Sequence, residues 1–259
     1  MQLCLDIGNS HIFGGVFDNN TILLTFRYST QKPTTSDEGG LFLRSVLIEN
    51  NIDPKAIEHI TIASVVPHLD YTIHAACKKY FMITPLLIKP GIKTGVKLLV
   101  NSPQELGADR IATAVSAIEQ FPNQNIVVID LGTATTLCAI TKDKCYLGGA
   151  IMPGINTAMK ALQQVGAKLP FVEIVTPTHT LGKTTDTNIQ VGIYYSQLGG
   201  IKEILNHLRH EAFENNAFTT IATGGFASLF EQEKVFDLII PDLVLHGLNI
   251  IHQKNSAHA

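Results

Sequence analysis

The sequence predicts an α/β protein built from two related domains with a cleft between them. Three observations carry this. The stretch Asp6-Ile7-Gly8-Asn9-Ser10 is echoed at Asp130-Leu131-Gly132-Thr133-Ala134. In each copy an apolar run ends in an acid, a glycine and a small polar residue follow, and a second apolar run begins. That is the pattern of a strand, a tight turn and a returning strand. Each copy also opens a series of strands that gives way to helix–strand units. Finally, Phe121-Pro122-Asn123 interrupts the apolar pattern just before the second copy, dividing 1–122 from 123–259.

Taken in order, residues 1–28 read as three strands, with Asp18-Asn19-Asn20 as the second turn. Ser29–Ser36 is loop-like. Asp37–Glu49 has helical spacing at Leu41, Leu43, Val46 and Leu47. Ile60–Val66 is a strand ending at Pro67, Leu69–Tyr80 a helix, Pro85–Ile88 a short strand, and Val96–Val100 another. After Pro103 a helix is expected to run to Gln120. The second half opens with Asn125–Asp130, returns through Thr135–Ile140 and pairs on to Cys145–Ile151. Pro153-Gly154 starts a helix to Val165. Gly166–Gly182 has no clear period and is a candidate substrate loop. Thr185–Tyr195 and Leu198–Ala212 read as two helices, Thr219–Ala222 as a strand, and Leu243–His252 as the last helix before a frayed tail.

Composition excludes several classes. Hydrophobic residues make up 45% and charged ones 16%, which suits a buried core and argues against disorder. With net charge −3 and no aromatic-basic interleaving, nucleic acid is not an expected partner. Leu238–Ile251, interrupted by Pro241, Asp242 and His246, is too short and polar to span a bilayer, so no membrane partner is expected. Cys4, Cys77, Cys138 and Cys145 lie mostly among apolar neighbours and form no C-x-x-C, which points to reduced thiols in the cytoplasm. The N-terminus has no basic region or cleavage site, so no signal peptide is expected.

Two glycine turns with acids beside them form a phosphate clamp with a cation site, which suits a nucleoside triphosphate. Asn9, Ser10, Thr133 and Thr135 add hydrogen-bonding side chains. Thr223-Gly224-Gly225 ends a strand, and its glycines let the backbone lie against a ring such as adenine. Asp109, in Gly107-Ala108-Asp109-Arg110, is either a first-turn acid complementing the helix dipole or a general base beside an arginine. Leu181-Gly182-Lys183-Thr184-Thr185 is not a P-loop, because the required first glycine is Pro177. Thr184 or Thr185 caps the following helix or touches a substrate. No histidine sits in a metal-binding spacing, and His11 alone, in the first turn, is placed to reach a phosphate.

These motifs together resemble the type III pantothenate kinases, of the acetate and sugar kinase, Hsp70 and actin superfamily. The resemblance rests on Asp6–Ser10, Ser64-Val65-Val66-Pro67, Gly107–Arg110, Asp130–Thr135, Gly148–Gly154, Gly182–Thr185 and Thr223–Gly225, in family order. It implies two ribonuclease-H-like (actin-like ATPase) domains with an interdomain cleft, and a homodimer with the active site near its interface. It implies ATP-dependent phosphorylation of pantothenate, the first step of coenzyme A biosynthesis. By the same resemblance Asp109 is the catalytic base, and Gly107, Ala108, Asp109, Arg110 and Thr185 bind pantothenate. Asp6, Ile7, Gly8, Asn9, Ser10, His11, Ile12, Phe13 and Thr133 bind ATP, with Mg2+ accompanying it. Asp130 binds a monovalent cation, K+ or NH4+. Many members carry a pantothenate-contacting tyrosine where this chain has Val100. The residues alone do not identify pantothenate. They leave open another kinase or phosphatase of this fold, or a nucleotide-binding regulator without turnover, which would have no need of a base at position 109.

Overall fold

The structure, a computed structural model, describes residues 1–31, 34–166 and 168–256. In chain order its strands and helices are β1 (Gln2–Ile7), β2 (His11–Asp18), β3 (Thr21–Ser29), α1 (Ser36–Glu49), β4 (His59–Ser64), α2 (Pro67–Phe81) and β5 (Leu86–Leu87). Next come β6 (Lys97–Leu98), α3 (Ala108–Gln120), β7 (Ile126–Leu131), β8 (Ala134–Ile140), β9 (Cys145–Pro153) and α4 (Ile155–Val165). The chain ends with α5 (Thr185–Glu211), β10 (Thr219–Thr223), β11 (Leu238–Ile239) and α6 (Leu243–Ser256).

Two compact units result. The first contains Met1–Val96, Asn101–Ser116 and the chain from Leu243 onward; the second contains Lys97–Val100 and Ala117–Asp242. This differs from a single cut at 122/123, for two reasons. Leu245, Leu248 and Ile251 of α6 pack with Cys4, Phe17 and Ala63 of the first sheet. Lys97 and Leu98 of β6 pair in parallel with Cys145 and Tyr146 of β9, in the second.

The repeat in the sequence is a repeat in topology. The first sheet has the order β3-β2-β1-β4-β5. Its first three strands are antiparallel neighbours, and β4 and β5 are parallel additions. The second has the order β11-β10-β7-β8-β9-β6, so β9-β8-β7-β10-β11 reproduces the first, with β6 added at one edge. Asp6 pairs across β1 and β4 with Ala63, and Asp130 across β7 and β10 with Thr223. Both acids therefore end a central strand.

In the first unit both faces of the sheet are covered, which is why β1 reads as a continuous apolar run rather than an alternating one. Leu3, Leu5 and Ile7 pack with Leu43 and Leu47 of α1 and Leu69 and Ile73 of α2. Cys4 packs on the other face with Ala108, Ala112 and Val115 of α3. Strand alternation puts Asp6 on the same face as Cys4. The first acid and the α3 face thus belong to one side of one sheet. In the second unit Val127, Ile129 and Leu131 of β7 form the core with Ile155 and Met159 of α4 and Ile193, Tyr194 and Leu198 of α5.

Several elements differ from expectation. Thr185–Glu211 is one helix of 27 residues, not two. Gly199-Gly200 costs about 1 kcal/mol per glycine against alanine, but Gln197, Leu198, Ile201 and Leu205 are buried on either side and keep the helix on the core. Leu41, expected on the apolar face of α1, is 55% exposed on the opposite side, and Leu43 and Leu47 carry the buried face. After Pro103 a 3₁₀ turn, Pro103–Glu105, precedes α3. The short strand β11 exists only through its pairing with β10. The described residues of 166–182 contain no helix or strand, but Val172 and Ile174 are anchored in the core. The end of the expected frayed tail, 257–259, lies outside the described residues.

Cys4, Cys77 and Cys138 are buried and Cys145 half-buried. Burial pushes the Cys4 and Cys77 thiols up, Cys77 to about 12, which keeps them protonated and unreactive. Among the described residues no helix is long and apolar enough to cross a membrane.

Candidate active site

The first turn, Gly8-Asn9-Ser10, is braced by its surroundings. The Gly8 N–H donates to the His11 carbonyl (3.0 Å), closing the hairpin. The Thr30 N–H donates to the Ser10 carbonyl (3.1 Å), and its hydroxyl to the Gly8 carbonyl (3.0 Å). The Val65 N–H donates to the Ile7 carbonyl (3.0 Å). The glycine N–H expected to meet a phosphate is therefore used inside the turn. Ile7 and Ile12 bury their side chains in the core, so only their backbone can meet a ligand, while Asn9 and His11 are exposed. Phe13 is half-buried, with the Arg27 guanidinium 4.1 Å over its ring. Thr30 was not legible as a brace, because it lies in a segment with no period.

Asp109 sits in the first turn of α3, where the positive end of the helix dipole favours a carboxylate. Its Oδ1 accepts the Arg110 N–H at 2.8 Å. Burial nevertheless raises its pKa above the ordinary value, outweighing the lowering by that N–H and by the Arg110 charge. Gly107 makes this placement possible. A Cβ there would overlap Asp109 Oδ1 and approach Val65 Cγ1 at 3.4 Å. The Gly107–Arg110 and Ser64–Pro67 motifs thus meet in the first unit, as do the Val65 and Ile7 groups of the first turn.

In the second unit the Gly132 N–H donates to the Ala134 carbonyl (3.0 Å), so this glycine too spends its N–H within the turn. The Thr133 carbonyl accepts from the Gly154 N–H (3.2 Å) and the Thr157 hydroxyl (2.6 Å) at the start of α4. The Phe226 N–H donates to the Leu131 carbonyl (3.1 Å). Thr133 itself is exposed. Thr135, expected to offer its hydroxyl to a phosphate, is fully buried and donates to Gln197 Oε1 at 2.9 Å. Strand alternation turned it inward.

The Asp130 carboxylate lies against two glycines. A Cβ on Gly132 would stand 3.5 Å from its Oδ1, and one on Gly224 would overlap that oxygen. Gly224 has φ +88° and would also push a Cβ to 2.7 Å from the nitrogen and carbonyl carbon of Leu131. Gly225 meets nothing within 4 Å. Of the pair, Gly224 serves the fold and Gly225 is open.

Thr184, not Thr185, caps α5. Its hydroxyl accepts the Thr187 N–H at 3.2 Å in a capping box, and Thr185 is the exposed first residue of the helix. A cavity of about 580 Å³ lies elsewhere in the second unit, lined by Gln124, Asn125, Lys142, Glu214 and Thr219 among others. It sits at the starts of β7 and β10, opposite the strand ends that carry Asp130 and Thr223. Among the described residues no group of three or more His, Cys, Asp or Glu is placed to hold a metal ion.

The duplicated strand order, with an acid ending each central strand beside a braced turn, defines the actin-like ATPase and sugar-kinase fold. Solved structures agree: a Campylobacter jejuni protein crystallised as a candidate Baf family transcriptional activator has a TM-score of 0.62 at 19% identity, over 98% of this chain and 99% of that one. The (R)-2-hydroxyglutaryl-CoA dehydratase component A of Acidaminococcus fermentans has a TM-score of 0.53 at 12% identity, over 99% and 98%. Within that class, the chain belongs to the type III pantothenate kinase family, whose model matches residues 2–207. It is 54% identical to type III pantothenate kinase 1 of Francisella tularensis, over 98% of this chain and 100% of that protein. It is 52% identical to the type III pantothenate kinase of Legionella pneumophila, over 99% and 100%.

Proposed function

We propose that this chain transfers the γ-phosphoryl group of ATP to the hydroxyl of pantothenate, giving 4'-phosphopantothenate, the first step of coenzyme A biosynthesis. One observation carries the chemistry: Asp109, held beside Arg110 at a helix N-terminus, with its pKa raised by burial. A carboxylate whose pKa is raised is a better proton acceptor. The full-length identity to enzymes named for pantothenate supplies the acceptor.

In this reading Gly107, Ala108, Arg110 and Thr185 bind pantothenate. Asp109 takes the hydroxyl proton as the oxygen–phosphorus bond forms and the bond from γ-phosphorus to the bridging oxygen breaks, releasing ADP. The Asp6–Phe13 segment and Thr133 bind ATP through backbone groups and the side chains of Asn9, Ser10 and His11. Mg2+, held by one or two carboxylates and the phosphates, would neutralise charge on the nucleotide. Asp6, at a strand end beside a turn, fits that role. Asp130 fits a monovalent cation, its carboxylate lying against Gly132 and Gly224 and, among the described residues, in no group of three or more His, Cys, Asp or Glu. The protein acts as a cytoplasmic homodimer. Exposed Ile151, Val165, Phe171 and Leu181 supply apolar surface for such an association.

The test is ATP consumption by the purified protein with Mg2+ and pantothenate, in K+ and in Na+. Pantothenate-dependent turnover that needs K+ is expected. Turnover indifferent to the cation would remove the Asp130 assignment, and no pantothenate-dependent turnover in either salt would overturn the acceptor.

A further inference from the structure

Gln197 is a primary amide only 3% exposed, on the face of α5 that also buries Tyr194, Leu198 and Ile201. A buried amide must satisfy its donors and acceptor or lose stability. Its two bonds reach adjacent strands. Gln197 Oε1 accepts from the Thr135 hydroxyl at 2.9 Å, and Nε2 donates to the Pro153 carbonyl at 2.6 Å. Thr135 is paired with Met152, and its neighbour Ala134 with Pro153, so one side chain spans the open end of the β8–β9 ladder.

That end carries the second turn. Pro153 has no N–H to give the ladder, and its carbonyl is the group fixed by Gln197. The next residue is Gly154, whose N–H donates to the Thr133 carbonyl (3.2 Å), joined there by the Thr157 hydroxyl (2.6 Å). The Gly132 N–H then closes on the Ala134 carbonyl. Gln197 therefore holds the strand that leaves the turn, β8, two residues after Thr133, and the neighbouring β9 at the residue before Gly154. An aliphatic side chain of similar volume would fill the same core without fixing either.

We infer that Gln197 is a positioning residue for nucleotide binding: from inside the core it sets the Thr133 turn against the N-terminus of α4. The inference rests on the reading of Thr133 as an ATP contact.

The test uses Gln197→Met, close in volume and without the amide, in the full-length enzyme. Hydrogen–deuterium exchange is read over 132–135 and 153–158, and steady-state KM for ATP and for pantothenate is measured. Exchange of both segments is expected to accelerate by about tenfold. The ATP KM is expected to rise by about tenfold, the size of one lost hydrogen bond, with the pantothenate KM within about twofold. Thr135→Ser, which keeps the hydroxyl, should behave as the parent, and Thr135→Val should share the ATP defect. The Thr135 pair carries the test if the Gln197 variant does not fold. Unchanged exchange would overturn the positioning role. Faster exchange with an unchanged ATP KM would overturn the nucleotide reading of the turn, and with it the inference. Equal rises in both KM values would assign Gln197 to general stability.

Discussion

Gly224→Ala and Gly225→Ala should behave oppositely, although the two glycines are neighbours in one motif. At position 224 an alanine must adopt φ +88°, which costs about 1–2 kcal/mol for an L-residue. Its Cβ would lie 2.7 Å from Leu131 N and C, backbone atoms of a central strand that cannot swing aside. Overpacking of that kind adds about 1–3 kcal/mol. The sum, about 2–5 kcal/mol, corresponds to a fall in Tm of about 4–20 °C for a chain of this size. The methyl would also displace the Asp130 carboxylate. At position 225 nothing lies within 4 Å and φ is not positive, so alanine should leave Tm unchanged or raise it slightly. Differential scanning calorimetry of both variants, with and without ATP, measures this. A loss in Gly225→Ala as large as in Gly224→Ala would refute the reasoning. A higher ATP KM in Gly225→Ala at normal Tm would show that the open glycine faces the nucleotide.

Four further outcomes follow from the site. Asp109→Asn should lower kcat by about 10²- to 10⁴-fold with little change in ATP affinity, and near-normal turnover would remove this residue from the mechanism. The same variant should gain stability over the parent as pH rises. A carboxyl whose folded pKa is raised binds its proton more tightly folded than unfolded, so its ionisation costs stability once pH passes its unfolded value. The Tm difference should widen as pH rises above about 4, the unfolded value, and a constant difference would contradict the burial effect. Asp130→Ala should lose the K+ response in a coupled ADP assay, and a retained response would place the cation elsewhere. Thr185→Val should raise the pantothenate KM more than the ATP KM, and equal changes would count against a substrate contact.

The duplicated meander was legible because strand alternation and turn residues are local signals. Three features were not, each for a physical reason. The break expected between Tyr195 and Leu198 does not occur, and only the burial of Gln197, Leu198 and Ile201 shows why α5 continues. A helix pattern such as Leu243–His252 does not say which sheet it will cover, and α6 returns to the first one. Leu41 is apolar and close in sequence to Leu43, but two residues of helix turn it about 160° away, on to the exposed face.

The site divides along the same line. Asp109 was legible as a first-turn acid with a possible second role, but its raised pKa depends on atoms brought there by packing. The turn glycines were the misleading signal. Gly8 and Gly132 repeat in the sequence and suggest N–H groups held out to a phosphate, yet both N–H groups close their own hairpins. What the two copies share beyond the hairpin is an external brace. The carbonyl before each glycine, Ile7 or Leu131, accepts an N–H from the loop after the equivalent parallel strand, Val65 after β4 or Phe226 after β10. Neither donor is marked by residue type, because any backbone N–H can make the bond. The turns are therefore shaped less by their own glycines than by the strand that follows alongside. This explains why Ser64–Pro67 and Thr223–Gly225, though distant from the turns in sequence, occur among the motifs that mark the family.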